Sequence, residues 1–120
     1  MTRINCIPVT ELHYKHLVAE YRELPRVFGL ARYTAQAPKE YTLGKGHVLF
    51  FYDKLAWLYY RQCGLYDEMK RRGYKPTYNP DSLFAQYYVR KHHLWNEWAP
   101  TPEAIAINRQ RLAERLPYAS

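Results

Sequence analysis

Cysteine is scarce in this chain: Cys6 and Cys63 are its only two in 120 residues. That count excludes a disulfide scaffold or a cysteine-built zinc site, and it fits a reducing compartment. Long hydrophobic runs are missing too. The longest, Val48 to Tyr52, is far short of the roughly 20 residues that span a bilayer. Polar residues interrupt every early apolar run, so neither a signal peptide nor a membrane association is expected. There is no internal repeat, no low-complexity tract and no linker. Gly44-Lys45-Gly46 lacks the longer glycine-bounded loop of a nucleotide-binding lysine, although its amides, ahead of a helix, suit contact with a phosphate. His13, His16 and Glu20 have no third histidine at zincin spacing, so no metal is expected. Ser82 and Ser120 sit in no nucleophile elbow, Cys6 beside Ile7 reads as a buried thiol, and His92-His93 read as surface histidines.

What is abundant is aromatic and basic. Hydrophobic residues make up 48% and aromatics 17%, with thirteen tyrosines, which suits a compact domain and not a disordered tail. Eighteen Lys and Arg against eleven Asp and Glu give a net charge of +7. That excess favours a polyanionic partner, nucleic acid foremost, though RNA-binding, ribosomal and membrane-surface proteins share it. The length allows one domain with one modest core.

Three helices separated by irregular loops are the simplest arrangement, giving an all-α fold. Thr10 is a candidate N-cap for a first helix from about Glu11 to Arg32. Pro25 within it removes a backbone hydrogen bond to Tyr21, so a bend is expected there. A second helix runs from about His47 to Arg72, closed by Gly73 and Pro76. Residues 74–100 read as loop-rich, with Asn79-Pro80-Asp81-Ser82 a turn or helix start. Thr101-Pro102-Glu103 opens a third helix to about Leu116.

On the first helix, Leu17, Tyr21, Leu24 and Phe28 form one apolar stripe. Lys15, Arg22 and Arg26 lie nearly opposite, with His16, Glu20 and Glu23 between. Such a face fits either a phosphate backbone or a solvated surface carrying intrahelical ion pairs such as Glu11 with Lys15. The second helix carries Phe51, Leu55 and Leu58 at core spacing.

The chain start offers an unusual group. A free α-amine titrates at about 7.7–8.0 against about 10.4 for lysine, and Arg3, Arg22 and Arg26 would lower it further by repulsion. A neutral amine can attack an anomeric carbon to form an iminium. By residue type alone, Met-Thr is merely how a chain begins, and that is the stronger reading.

Met1-Thr2-Arg3-Ile4-Asn5 and Ala19-Glu20-Tyr21-Arg22-Glu23-Leu24-Pro25-Arg26-Val27-Phe28-Gly29 resemble the start of the pyrimidine dimer DNA glycosylases, the endonuclease V family of T-even phages. Leu43-Gly44, Gly46-His47-Val48 and Phe50-Phe51-Tyr52-Asp53-Lys54-Leu55 resemble its second-helix signature, and Arg61-Gln62 and Arg72-Gly73 continue in register. Ile105-Ala106-Ile107 with Arg111-Leu112 resembles its third helix. The likeness covers most of residues 1–73 and about 100–115. It implies one all-α domain, probing double-stranded damaged DNA as a monomer, in the cytoplasm of a bacterial or virus-infected cell. It also implies a glycosylase with abasic-site lyase activity on ultraviolet-induced cyclobutane dimers, needing no cofactor.

By the same resemblance, removal of Met1 exposes the Thr2 amine as nucleophile, and Glu23 stabilises the cationic intermediate and assists elimination. Arg3, Arg22 and Arg26 grip phosphates, His16 is an active-site histidine, and Arg111 and Arg115 are basic residues of the third helix. Gly44 and Gly46 join the expected DNA contacts. The DNA is expected to bend, with a base opposite the lesion flipped into the protein.

The chain departs from the family in two places. The segment between the first helix and Gly44 is shorter, and Leu116-Pro117-Tyr118-Ala119-Ser120 stands where the phage enzyme has an aromatic, lysine-containing tail used in recognising dimers. Tyr87 to Trp95 is aromatic and basic, and fits either a substitute stacking surface or core rings plus surface charge. Other damaged bases, plain abasic sites and a non-catalytic DNA-binding role are the competing readings.

Overall fold

In a computed structural model of the chain, residues 3–115 are described, and every regular element among them is helical. Thr2 and the segment 116–120 lie outside the described residues. A 3-10 turn at Val9–Glu11 leads into α1 (Tyr14–Glu23), α2 (Pro25–Leu30), α3 (His47–Phe50), α4 (Leu55–Arg71) and α5 (Asp81–Lys91). A second 3-10 turn at His92–Leu94 follows, then α6 (Pro102–Glu114). The fold is all-α, as expected. No described helix is long and apolar enough to cross a membrane.

The first expected helix is present in two pieces. It starts later than Thr10 suggested, because His13 is the cap: its Nδ1 accepts from the Lys15 amide at 3.2 Å. Glu11 stays outside the helix and pairs with Arg109 on α6, at 3.0 and 2.7 Å, in place of Lys15. The break falls at Leu24, where Pro25 becomes the first residue of α2. Pro25 has no N–H for the Tyr21 carbonyl. Gln62, fully buried on α4, supplies the missing donor through Nε2 at 3.0 Å.

The second expected helix is also divided. The turn 51–53 separates α3 from α4, and one neighbouring and one distant residue satisfy the loose ends. Lys54 Nζ donates to the Phe50 carbonyl at 3.1 Å. Asn96 donates through Nδ2 to the Asp53 carbonyl at 2.9 Å, and its own carbonyl accepts from the Trp57 amide at 3.3 Å. The far end of α4 closes as the glycine signal implied. Gly73 has φ 91°, its amide reaches Lys70 O at 3.0 Å, and the Tyr74 amide reaches Met69 O at 2.9 Å. Those two bonds make a Schellman motif.

Helix α5 falls where loop was expected. Just before it, Asn79 Oδ1 accepts from the Asp81 amide at 2.9 Å, yet along the helix only Leu83 is buried. Its C-terminal Lys91 donates to the carbonyls of Phe28, Gly29 and Ala31 at 2.8, 3.2 and 3.0 Å. Those carbonyls end α2, so Lys91 caps a neighbouring helix and locks α2 to α5. Tyr87 and Trp95 pack against Phe28, while Tyr88, Val89, Arg90, His92 and His93 are exposed. Helix α6 opens as Thr101-Pro102-Glu103 required, with Thr101 Oγ1 accepting from the Ala104 amide at 3.1 Å. The main core forms where α1 packs on α4, beside a cluster of Tyr41, Phe50, Phe51, Trp57 and Trp98 rings.

Candidate functional site

The site begins with a segment, residues 4–7, that belongs to no helix and has no strand partner among the described residues. Residues 4–7 are all buried, and buried backbone polar groups must be paired. Side chains do the pairing. His47 Nε2 accepts from the Ile4 amide at 2.7 Å, and the Tyr41 hydroxyl donates to the Ile4 carbonyl at 2.9 Å. Asn108 Oδ1, from α6, accepts from the amides of Cys6 and Ile7 at 2.8 and 3.2 Å. Arg61, from α4, donates to the Ile7 carbonyl.

A buried polar cluster braces the same segment. Asn5 donates to Glu20 Oε1 at 2.8 Å and accepts from Asn108 Nδ2 at 2.8 Å. Arg61 meets Glu20 in a two-pronged pair at 2.8 and 3.1 Å. The Arg61 and Glu20 side chains are 7% and 1% exposed. A buried pair this close holds its geometry because breaking it strands a charge. Residues 5, 20, 61 and 108 therefore lock the opening segment to α1, α4 and α6 together.

Beside this segment, between α1 and α6, lies a cavity of about 440 Å³. Arg3, His16, Glu23, Arg111 and Arg115 all line it, with Asn5, Ala19, Glu20 and Leu112 completing the wall. Five of the residues expected at the site thus meet at one cavity. Helical phase explains the α1 contribution: positions 16, 19, 20 and 23 share one face. Arg22 and Arg26 are exposed and line none of the wall. Arg26 nonetheless reaches Glu23 Oε2 at 2.8 Å. Gly44 and Gly46 lie outside the cavity. Gly44 is exposed, with open space where a side chain would project, whereas Gly46 has φ 88° and sits under Pro38, 2.8 Å from where a Cβ would be. The helix after them, α3, is a single turn, too short to build a macrodipole.

Arginine outweighs carboxylate in the cavity: Arg3, Arg111 and Arg115 line it beside Glu20 and Glu23, which are paired with Arg61 and Arg26. Arg3 is half-buried, and burial, then repulsion from Arg111 and Arg115, lowers its pKa while leaving it charged at neutral pH. Burial also lowers the pKa of His16, with His13 and Arg115 adding to the effect and Glu20 opposing it. His16 is therefore a neutral imidazole at pH 7. Three guanidinium groups around one opening repel each other until an anion enters, so the cavity suits phosphate. Glu23 contributes a carboxylate whose side chain is 29% exposed. Burial pushes the Cys6 thiol up to about 11, which makes it inert, as a buried thiol should be.

Sequence reasoning missed the support. Glu20 read as one of two outward-facing carboxylates, but it turns inward to Arg61. Asn108 carried no signal beyond its spacing from Ala104 and Leu112, which share the buried face of α6. A full backbone of side-chain partners is visible only in three dimensions. The family model described as pyrimidine dimer DNA glycosylase matches residues 1–82, which takes in α1 to α4 and leaves α6 outside.

Proposed function

The chain belongs to the pyrimidine dimer DNA glycosylase family, and from that premise we propose that it excises ultraviolet-induced cyclobutane pyrimidine dimers with the Thr2 amine as nucleophile and then nicks the strand as an abasic lyase. The observation that carries this reading is the basic cavity beside the clamped opening segment, with Glu23 in its wall.

The steps follow from the groups present. Once Met1 is removed, the neutral Thr2 amine attacks C1′ of the damaged nucleotide. The glycosidic C–N bond breaks and its electron pair leaves with the base; the nitrogen then gives up a proton, the C1′–O4′ bond breaks, O4′ takes up a proton as a hydroxyl, and an iminium is left on the amine nitrogen. A C2′ proton is then lost, the C3′–O bond breaks, and the 3′ phosphate departs, leaving an unsaturated imine on the amine, which water hydrolyses to an unsaturated aldehyde and the free amine. Glu23 faces the cationic iminium, stabilises it, and accepts or relays the C2′ proton. Arg3, Arg111 and Arg115 hold the phosphates flanking the lesion, and their charge keeps the amine pKa low. Arg22 and Arg26, exposed beyond the rim, extend the phosphate grip, as do the amides of Gly44 and Gly46. Neutral His16 offers a hydrogen bond to sugar or phosphate. The route uses an amine and a carboxylate, and its chemistry calls for no metal or cofactor. The enzyme acts as a single-domain monomer on DNA in the cytoplasm.

Borohydride trapping of untagged protein tests the reading with three duplexes: irradiated, abasic and undamaged. An adduct on irradiated DNA, mapped to the Thr2 amine, is the expected result. An adduct on abasic DNA alone would replace the dimer by another lesion. No adduct on any duplex, with Met1 confirmed absent, would overturn the mechanism in favour of simple DNA binding.

A further inference from the structure

We propose that His47 is a positioning residue, which sets the reach of the proposed nucleophile by gripping the Ile4 peptide through a neutral, Nδ1-protonated imidazole. This inference rests on the amine mechanism above. His47 lies within the matched residues 1–82, and the geometry around it is specific.

Four contacts define the ring. The Thr42 carbonyl lies 2.6 Å from Nδ1, and a carbonyl can only accept, so Nδ1 carries the proton. Nε2 is then a bare acceptor, 2.7 Å from the Ile4 amide. The rings of Tyr41 and Phe51 pack edge-on against the imidazole, with centroids at 5.4 and 5.7 Å. Gly46, in the left-handed region at φ 88°, turns the chain into α3 so that His47 arrives at its first position. Tyr41 takes the other side of the same residue, donating to the Ile4 carbonyl. Both backbone polar groups of Ile4 are thus held by side chains, two residues from Thr2 and one from Arg3. Arg3 itself is tied down by its Nη1 donating to the Leu43 carbonyl at 3.0 Å. The loop 41–47 therefore functions as a clamp on the residues that lead to the amine.

Protonation would break the clamp. A charged His47 has donors on both nitrogens, so Nε2 can no longer accept from Ile4. Burial, opposed by the Thr42 carbonyl and aided by the nearby charge of Arg3, lowers its pKa below 6.5, and the Ile4 amide, which donates to Nε2 only in the neutral ring, favours that same form. Arg3 is the charged group facing the ring, and Tyr41, its phenol pKa raised by burial, stays a neutral donor. The grip is therefore intact at neutral pH and is lost as pH falls through that lowered value. The α-amine must also be deprotonated to react. Two protonations then oppose imine formation in acid, where one would suffice without the clamp.

The test measures single-turnover trapping on abasic duplex between about pH 5 and 8, with Met1 removal confirmed, for wild type, His47→Phe and His47→Gln. His47→Phe keeps the ring volume and loses the acceptor, and should slow imine formation on the order of 10²-fold with affinity for abasic DNA unchanged. His47→Gln retains a non-titrating acceptor and donor, and should recover at least half of that loss on a logarithmic scale. For wild type the acid limb of log rate against pH should steepen from a slope of one to two. For His47→Gln it should stay at one, a readout that does not depend on whether His47→Phe folds. Equal rates in all three proteins, or a second-order acid limb retained in His47→Gln, would overturn the inference while leaving the amine mechanism standing. No adduct from wild type would overturn the mechanism and this inference together.

Discussion

Replacing Asn108 by leucine should cost far more stability than any other polar substitution on α6. The change keeps the side chain's volume and removes three hydrogen bonds, leaving the Cys6 and Ile7 amides and Asn5 Oδ1 without the partner they have now. A buried polar group left unsatisfied costs ~1–3 kcal/mol. The two amides share one acceptor atom, so the lower half of that range applies, and the sum is ~3–6 kcal/mol. Against a total stability of ~5–15 kcal/mol for a domain of ordinary size, that is a large fraction. At about 4 °C per kcal/mol the midpoint of thermal unfolding should fall by roughly 12–24 °C. Gln110→Leu is the control. It sits two residues away on the exposed face, its contact to Glu114 is long at 3.4 Å, and its loss should stay within ~0.5 kcal/mol. Urea denaturation of both variants gives the comparison. At a temperature where Asn108→Leu remains folded, imine trapping should still fall on the order of 10²-fold, because the opening segment has lost one of its fixed points. A cost under ~1 kcal/mol, or a full trapping rate, would refute the idea that Asn108 holds this segment.

Glu23→Gln should lower strand cleavage by about 10²–10⁴-fold while binding to damaged duplex persists or tightens, and undiminished cleavage would remove Glu23 from the mechanism. Arg111→Ala and Arg115→Ala should each flatten the salt dependence of DNA affinity by about 0.9 in the log–log slope, measured by fluorescence anisotropy; an unchanged slope would mean the residue meets no phosphate. Glu68 offers a pH test. Hydrogen bonds first from Arg71 and then from Arg72 hold its carboxyl at about 2, below the ordinary 4.5. A depressed pKa contributes stability that is present above the ordinary value and disappears as pH falls toward about 2. Glu68→Gln should therefore flatten that part of the stability–pH curve, and an identical acid limb in both proteins would count against it.

Much of the helical layout was legible because local chemistry dictates it. Thr101-Pro102-Glu103 caps α6, Gly73 closes α4, and Pro25 bends the first helical run, each for reasons contained in a few neighbouring residues. The apolar stripe of Leu17, Tyr21, Leu24 and Phe28 was also correct, since all four are buried. The break at 51–53 was not legible, because Asn96, some forty residues on, satisfies it. Helix α5 escaped notice because only Leu83 of its eleven residues is buried while Phe84 and Val89 are 45% and 80% exposed, so the pattern has no clear stripe. At the site, phase alone grouped His16 with Glu23. Nothing in the local sequence said that Glu20 would turn inward to meet Arg61, or that α6 would bring Arg111 and Arg115 to the same wall.

The contacts from Asn108 to Asn5, Cys6 and Ile7 bridge 101 to 103 positions of chain. Translation therefore makes the proposed nucleophile first and one of its supports among the last. Until residue 108 has left the ribosome, the opening segment lacks that support. Excision of the initiator methionine, in the proposed mechanism, then precedes the anchoring of residues 5–7 by α6. A chain cut short before α6 therefore has the opening segment but lacks both its Asn108 anchor and the Arg111 and Arg115 wall of the cavity.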